Sequence, residues 1–394
     1  MGALQIAPGI HWVGAVDWER HVFDALLPSP EGTTYNSYLV RGSEKTALVD
    51  TVDPAFTSVL FDHLDELEAS VDYVIANHAE QDHSGSLPAV LARYPAARVL
   101  ATPKCRGLLD ELLGVRADRV TEVADGDTLS LGDRTLRFIH FPWVHWPETM
   151  VSFLAEDRLL LPGDLFGAHL AVSDVRAAYP DRVADAAKRY YGLIMMPFRG
   201  VIARNLGRIE ELDLQLIAPT HGPLVTDPRA MLATYRAWVD DRPENLAVVP
   251  YVSMHDSTRR MVMHLAEALV ARGVRVDLVP LETLDIGRLS SAIVDAATIV
   301  LASPTVLAGA HPQVAYAAFL ANALRPKAPF ASVVGSYGWG GKMLEQLTGL
   351  LPNLSAEFLE PVIVRGAPGA DALAAIDRLA DTIAEKHAAL LGSP

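Results

Sequence analysis

Tyr73-Val74-Ile75-Ala76-Asn77-His78-Ala79-Glu80-Gln81-Asp82-His83 is the stretch that decides how this chain is read. A short apolar run opens it, and four metal-ligand side chains follow within six residues: His78, Glu80, Asp82 and His83. A β-strand ending at Ala76 delivers all four into one loop at a sheet edge. The bland alternative is a solvated polar loop, and the rest of the chain argues against it.

Three later segments repeat the pattern of apolar strand followed by ligand. Arg137-Phe138-Ile139-His140-Phe141 leads through Pro142-Trp143-Val144 to His145. Leu159-Leu160-Leu161-Pro162-Gly163 leads to Asp164, and Leu214-Gln215-Leu216-Ile217-Ala218-Pro219-Thr220 leads to His221. Ligands at strand ends stand on rigid supports yet in accessible loops, as metal sites require. Four His, two Asp and one Glu exceed what one ion needs, so the spacing suggests two metals sharing a bridging carboxylate. His11, His21, His63, His140 and His169 lack partner spacing and are expected to be structural.

Composition bounds the rest. At 394 residues, half of them hydrophobic, the chain is expected to form two domains, each with its own core. A net charge of -15 argues against a nucleic-acid partner. The single cysteine, Cys105, leaves no disulfide, no CxxC site and no four-thiolate rubredoxin module within this sequence, and it reads as a small buried hydrophobe. The first thirty residues lack a signal-peptide pattern, and no apolar run approaches the ~20 residues of a membrane span, so a soluble cytoplasmic protein is expected.

The charged, Pro-containing run Asp240-Asp241-Arg242-Pro243-Glu244-Asn245 marks a boundary, giving domains 1–243 and 244–394. Beyond it, strands at 248–252, 274–281, 298–302, 330–334 and near 358–364 alternate with helices at 258–272, 312–324 and 371–391. That alternation predicts a doubly wound parallel sheet, with a ligand at the switch point of a flavodoxin-like order. Three loops after strands can surround a ligand there: Ser253-Met254-His255-Asp256-Ser257-Thr258, Ser303-Pro304-Thr305-Val306, and Ser336-Tyr337-Gly338-Trp339-Gly340-Gly341. The first opens a helix whose N-terminal amides attract a phosphate, and the third carries two aromatics able to stack on a planar ring. Taken alone, each loop is an ordinary strand-to-helix connection.

The order of ligand motifs resembles the metallo-β-lactamase fold, whose zinc hydrolases carry His-x-His-x-Asp-His; here Glu80 takes the second histidine's place. A hard anionic oxygen there favours a harder, redox-active ion. With Glu80, His145-Trp146-Pro147-Glu148-Thr149-Met150, Pro162-Gly163-Asp164-Leu165-Phe166 and the second domain, the chain resembles a flavodiiron protein over nearly its whole length. The resemblance implies an α/β chain, with an N-terminal metallo-β-lactamase-like αββα domain and a C-terminal flavodoxin-like domain. His78, Glu80, His145 and Asp164 would hold one iron; Asp82, His83, His221 and the shared Asp164 would hold the other. FMN would lie among the three loops, although Leu307 stands where the family often has Asn. His255 and Asp256 stand where it usually has an aromatic and a Gly, and Asp256 would repel a phosphate unless its carboxylate turns away as a helix N-cap.

Tyr190-Tyr191 resembles a family motif near the metal pocket, where one hydroxyl, taken as that of Tyr191, would donate to bound substrate; packing of both rings in the core is the equal alternative. The implied activity is reduction of O2 to water or of NO to N2O, fed by a separate donor such as rubredoxin or a flavin or deazaflavin reductase system. The implied assembly is a head-to-tail homodimer or a dimer of such dimers. Two other readings remain at this point: a dinuclear zinc hydrolase on the same scaffold, and a pure electron-carrier flavoprotein, which leaves the seven ligands unexplained.

Overall fold

The structure is a computed structural model that describes residues 2–176, 180–283 and 285–392. It divides into two compact units, one of residues 1–191 with 198–239, the other of residues 192–197 with 240–394.

In the first unit a seven-stranded sheet runs in the order Leu4–Ala7, Ile10–Trp12, Tyr38–Arg41, Thr46–Val49, Tyr73–Ile75, Arg98–Ala101, Val120–Glu122. Its last four strands are parallel, joined by crossovers carrying the helices Thr57–Glu66, Leu87–Arg93 and Pro103–Leu113. Register places Leu39, Leu48, Val74, Val99 and Val120 in one row across five strands. That row packs with the helix residues Leu60, Leu64, Val90 and Leu109 in a single buried cluster. The alternate residues Val40, Ala47, Val49 and Ile75 are equally buried, so both faces of the sheet are covered. Cys105 lies in the same core, as its composition suggested.

The second sheet of this unit runs Thr128–Ser130, Thr135–His140, Met150–Leu154, Leu159–Leu161, Leu216–Ile217. Its last two strands are parallel, Leu159 opposite Leu216, so the turns after them open at the same sheet edge. The Met150 amide donates to the Asn77 carbonyl (2.8 Å), tying this sheet to the loop that follows Tyr73–Ile75.

The second unit holds a parallel sheet in the order Arg275–Pro280, Leu246–Tyr251, Thr298–Val306, Phe330–Tyr337, followed by Glu357–Phe358 and Val362–Arg365. This is the flavodoxin-like order, and its switch point lies between Leu246–Tyr251 and Thr298–Val306. The strand expected near 358–364 is split in two; Pro361 lacks the amide that would continue the ladder, and both pieces pair with Phe330–Tyr337. Ser303 to Val306, read from sequence as a loop, continues the third strand and turns back through Leu307 and Ala308, both at positive φ, to pair with Gly309–Ala310. The helices Ile286–Ile293 and Met343–Gly349 were not legible in the sequence pattern. Among the described residues, no helix is long and apolar enough to cross a membrane.

His387, on the helix Ala370–Leu391, is buried between Asn245 Oδ1 (2.8 Å from Nδ1) and the Thr298 hydroxyl (2.7 Å from Nε2). With Nδ1–H donating to the amide oxygen, Nε2 accepts from the hydroxyl, so the fold holds the neutral ring. Burial lowers its pKa from 6.5 to about 4. The unfolded chain therefore binds the extra proton first. The contribution is whole above about pH 6.5 and is lost as pH falls toward 4. Hydrogen exchange of Ala370–Leu391 should accelerate across that window. In His387→Gln the helix should be weaker at neutral pH and lose this acid step; an unchanged acid step would assign the lability elsewhere.

Candidate metal centre and flavin cavity

Two groups of ligand atoms converge in the first unit. His78, Glu80, His145 and Asp164 form one and Asp82, His83 and His221 the other, with the atoms of each group within 4.8 Å of one another. All seven residues singled out from the sequence are thus brought together. Asp164 joins the two groups. Its Oδ2 lies 3.0 Å from His145 Nε2 and 3.5 Å from His78 Nε2, whereas its Oδ1 lies 3.0 Å from His83 Nε2 and 3.8 Å from His221 Nε2. One carboxylate turns one oxygen to each side.

The spacings suit ions rather than direct contacts. Metal–ligand bonds of about 2.0–2.2 Å set ligand atoms roughly 3.0–3.6 Å apart. Glu80 lies 3.1 Å from His145 and 3.7 Å from His78; Asp82 lies 3.0 Å from His83 and 3.1 Å from His221. Yet both Asp82 oxygens and both His78 ring nitrogens are buried without a hydrogen-bond partner. Each such group costs about 1–3 kcal/mol if left unsatisfied. Atoms this close that do not face one another face a common point, and a cation at each point would satisfy them.

Electrostatics says the same. Burial opposes charge throughout, but the neighbouring carboxylates override it. They hold His78 well above the usual imidazole range and raise His83 to about 10 and His145 to about 9, while the histidines push Asp82 and Asp164 far below the usual carboxylate range. The buried anionic field demands positive charge at its centre, and without metal it takes protons.

Local structure fixes the ligands. The Asp50 carboxylate accepts from the Asn77 amide (2.9 Å) and Asn77 Nδ2 (2.8 Å), and Asn77 Oδ1 accepts from Ser152. Glu148 Oε1 accepts from the Ala79 amide (2.9 Å), so this acid braces the ligand loop. The short helix Gln81–Ser84 carries Asp82 and His83, and the His83 carbonyl accepts from both the amide and hydroxyl of Thr51 at 2.6 Å. Thr220 donates to Asp164 Oδ1 at 2.5 Å, and His221 Nδ1 lies 2.7 Å from the Thr34 carbonyl, which orients Nε2 inward. Sequence reading missed these supports. Asp50, an acid directly after the buried strand Thr46–Val49, carried the same strand-end signal as the ligands.

The other histidines fall outside both groups. His140 Nε2 meets the Val123 carbonyl at 3.1 Å. His169 is buried with Nδ1 2.9 Å from the Thr33 hydroxyl, and its ring packs on His221 at 4.8 Å. Burial, with His221 beside it, holds His169 well below the usual range, hence neutral.

The two neighbouring tyrosines meet different surroundings. Tyr191 donates its hydroxyl to the Trp238 carbonyl (3.2 Å) and packs on Tyr235 and Trp238, so it supports the core. Tyr190 instead packs on His169 and His221, and its buried hydroxyl has no partner. Successive helical residues point about 100° apart, so only one of the pair can face the ligands. A further buried phenol, Tyr35, lies 5.9 Å from the His221 ring and also lacks a partner for its hydroxyl.

In the second unit a cavity of about 550 Å³ opens at the ends of the parallel strands. Of the residues expected to bind a flavin, Met254, His255, Ser257, Thr258, Pro304, Thr305, Ser336, Tyr337, Gly338 and Trp339 line it. Ser253, Asp256, Ser303 and Val306 do not line it, whereas Leu307, Ala308, Gly340 and Gly366 do. Ser253 accepts from the Arg259 amide (3.1 Å) and closes the helix start; Ser303 accepts from the His311 amide and donates to the Pro304 carbonyl. Asp256 occupies the N-cap position at φ 66° but its carboxylate caps nothing; it leans toward Arg259, 3.5 Å away. Its charge thus stays off the cavity wall. Thr258 and Ser336 hydroxyls meet at 3.1 Å, and Trp339 is 96 % exposed, free to cover a planar ligand.

A family model described as ODP family beta lactamase matches residues 33–222, a span that contains all seven candidate ligands. Nitric oxide reductase of Moorella thermoacetica is 37% identical over 357 residues, covering 87% of this chain and 88% of that protein. The chain belongs to the flavodiiron protein family. Rubredoxin oxygen:oxidoreductase from the anaerobe Desulfovibrio gigas is 30% identical and superimposes with a TM-score of 0.94 over 99% of this chain and 100% of that one. The flavodiiron protein of Giardia intestinalis, 24% identical, shares the fold with a TM-score of 0.92, covering 100% of this chain and 99% of that one. As a flavodiiron protein the chain is an oxidoreductase.

If Asp164 bridges both sites, Asp164→Ala should empty both together, whereas Asp82→Ala should empty one first. Elemental analysis of the purified variants reads this directly. Two full metal equivalents in Asp164→Ala would remove the bridge.

Proposed function

We propose that the chain reduces O2 to water, NO to N2O, or both, at a diiron centre held by His78, Glu80, His145, Asp82, His83, His221 and the shared Asp164, with FMN in the cavity of the second unit. The observation that carries this reading is the two-sided Asp164 carboxylate between two complete ligand groups. Glu80, where zinc hydrolases of the fold carry His, supports iron over zinc. Fully reduced, two irons and a flavin supply four electrons, enough to take O2 to two waters, and two electrons suffice to join two NO into N2O and water.

The cavity beside the ligands supports a diatomic substrate. It measures about 160 Å³, with Glu80, Gln81 and Asp82 among its lining residues. Organic ligands occupy about 300–1,000 Å³, so this space suits O2 or NO better than a hydrolase substrate. The protein's share of the work is positional. Thr220 holds Asp164, Asp50 and Glu148 hold the ligand loop, Phe23 packs 5.4 Å from His221, and the Tyr190 hydroxyl offers an unpaired donor beside that ligand. In the second unit, Ser257 and Thr258 at the helix start would take the phosphate, and Tyr337 and Trp339 the ring system. A separate donor, rubredoxin or a flavin or deazaflavin reductase system, would deliver the electrons.

Metal and flavin analysis with anaerobic NO and aerobic O2 consumption tests this reading. About two irons and one FMN per chain with turnover of either gas is the expected result. Stoichiometric zinc with no iron, after expression in iron-replete medium, would move the chain to the hydrolases. Glu80→His should keep the fold but shift metal content toward zinc and cut gas turnover by roughly tenfold or more. Unchanged turnover would show that this carboxylate does not select the redox chemistry.

The same reading includes a head-to-tail homodimer, in which the flavin of one chain serves the irons of the other; its support is the family resemblance. Mixing Asp164→Ala with Ser336→Arg, which blocks the flavin cavity, gives one complete pair of sites per mixed dimer only if transfer runs between chains. Activity should then return in part. No recovery despite demonstrated subunit exchange would place transfer within one chain.

A further inference from the structure

The space beside the metal ligands has a wall that neither the ligand set nor the tyrosine pair accounts for. Val22–Phe23 and Leu27–Pro28 form a two-stranded hairpin, and the cavity lies between its residues Phe23 and Asp24 and the ligand carboxylates Glu80 and Asp82. Tyr35 lines the same cavity. It ends the strand Thr33–Tyr35, whose neighbours grip the His221 turn: the Asn36 side-chain amide donates to the Pro219 and Gly222 carbonyls, both at 2.8 Å, and Thr34 accepts from the Gly222 amide. The Tyr35 ring is held by Phe56 at 5.5 Å, and by the Arg20 guanidinium at 5.9 Å. Arg20 is itself clamped between Asp17 and Asp53, each at 3.2 Å. Its ring is therefore fixed relative to His221, while its hydroxyl, fully buried, has no partner. A buried polar atom without a partner needs an explanation, and an absent ligand is one.

We propose that the Tyr35 hydroxyl is a catalytic hydrogen-bond donor that touches the diatomic substrate in the cavity bounded by Glu80 and Asp82. The proposal rests on the oxidoreductase reading above. Water's share of liquid volume is about 30 Å³, so a 160 Å³ cavity holds roughly five waters, or a diatomic molecule and a few. A substrate there has carboxylates among its neighbours, which repel developing negative charge. An O–H donor on a rigid ring offsets that repulsion without reorganising, which is how preorganised donors lower barriers. Tyr190 supplies a second phenol beside His169, a residue that does not line this cavity.

The test is Tyr35→Phe, which keeps the ring. Iron and flavin contents should match the parent, kcat should fall roughly ten- to hundredfold, and the infrared N–O stretch of nitric oxide bound to the reduced protein should rise, because a hydrogen bond to its oxygen lowers that stretch. Should Tyr35→Phe lose iron, difluorotyrosine placed at position 35 keeps the shape and strengthens the donor, and the stretch should then fall. An unmoved stretch in either variant, or parental kcat in a fully loaded Tyr35→Phe, overturns the proposal. A parent chain without iron or gas turnover would instead overturn the oxidoreductase reading, so the two failures are distinguishable.

Discussion

The N-terminal unit is organised around one carboxylate that must face two ways. Asp164 follows the buried strand Leu159–Leu161 through Gly163, whose φ of 62° turns the chain sharply enough to aim the side chain into the ligand groups. The Gly163 carbonyl accepts from the Thr220 amide and the Asp164 carbonyl from the Gly167 amide, both at 3.0 Å, so the backbone on each side is fixed. Only then can one oxygen serve His78 and His145 while the other serves His83 and His221. Had the strand ended one residue earlier, the alternation of a strand would send this side chain to the opposite face.

Holding that carboxylate in one site with Glu80 and Asp82 is costly, since like charges gathered away from water repel one another. The surroundings offset this with oriented donors and with histidines. Asp50 and Glu148 lie outside the ligand groups and take backbone amides of the ligand loop, so they fix geometry without competing for the ions. The division resembles other metal sites, in which outer hydrogen bonds set ligand direction and the ligands set the ion. It also explains why acids cluster so densely here: some face the candidate metal positions, others accept from backbone amides.

Much of this was legible in the sequence, for a physical reason. Candidate ligands at strand ends leave a local signature, apolar run then imidazole or carboxylate, and the seven residues read that way converge in the structure. The flavodoxin-like order followed from regular alternation, because parallel strands need crossovers. What escaped depended on direction or distance. Tyr190 and Tyr191 are neighbours in sequence but face different surroundings, and the angle between them is visible only in three dimensions. Asp256 looked hostile to a phosphate; its backbone conformation, which sequence does not announce, leads its carboxylate toward Arg259. Ser303, expected among the flavin contacts, bonds its hydroxyl to the Pro304 carbonyl and the His311 amide, partners that no sequence pattern announces. Thr33 and Tyr35 lie some 185 residues before His221, and no local pattern links them to it.

The unpaired atoms around the centre complete the argument. In this unit His78, Asp82, His83, Glu148, His169, Tyr35 and Tyr190 all bury polar atoms without partners. A fold of ordinary quality tolerates few such groups, and each costs on the order of 1–3 kcal/mol. Those on ligands are satisfied when metal binds, so metal affinity and folding stability of this unit draw on the same free energy. Those on Tyr35 and Tyr190 cannot be satisfied by the ions, because phenols that stay protonated are poor ligands, and burial holds both well above their usual range. They remain available to a substrate that arrives after the metals, which separates the residues that build the centre from the residues that use it.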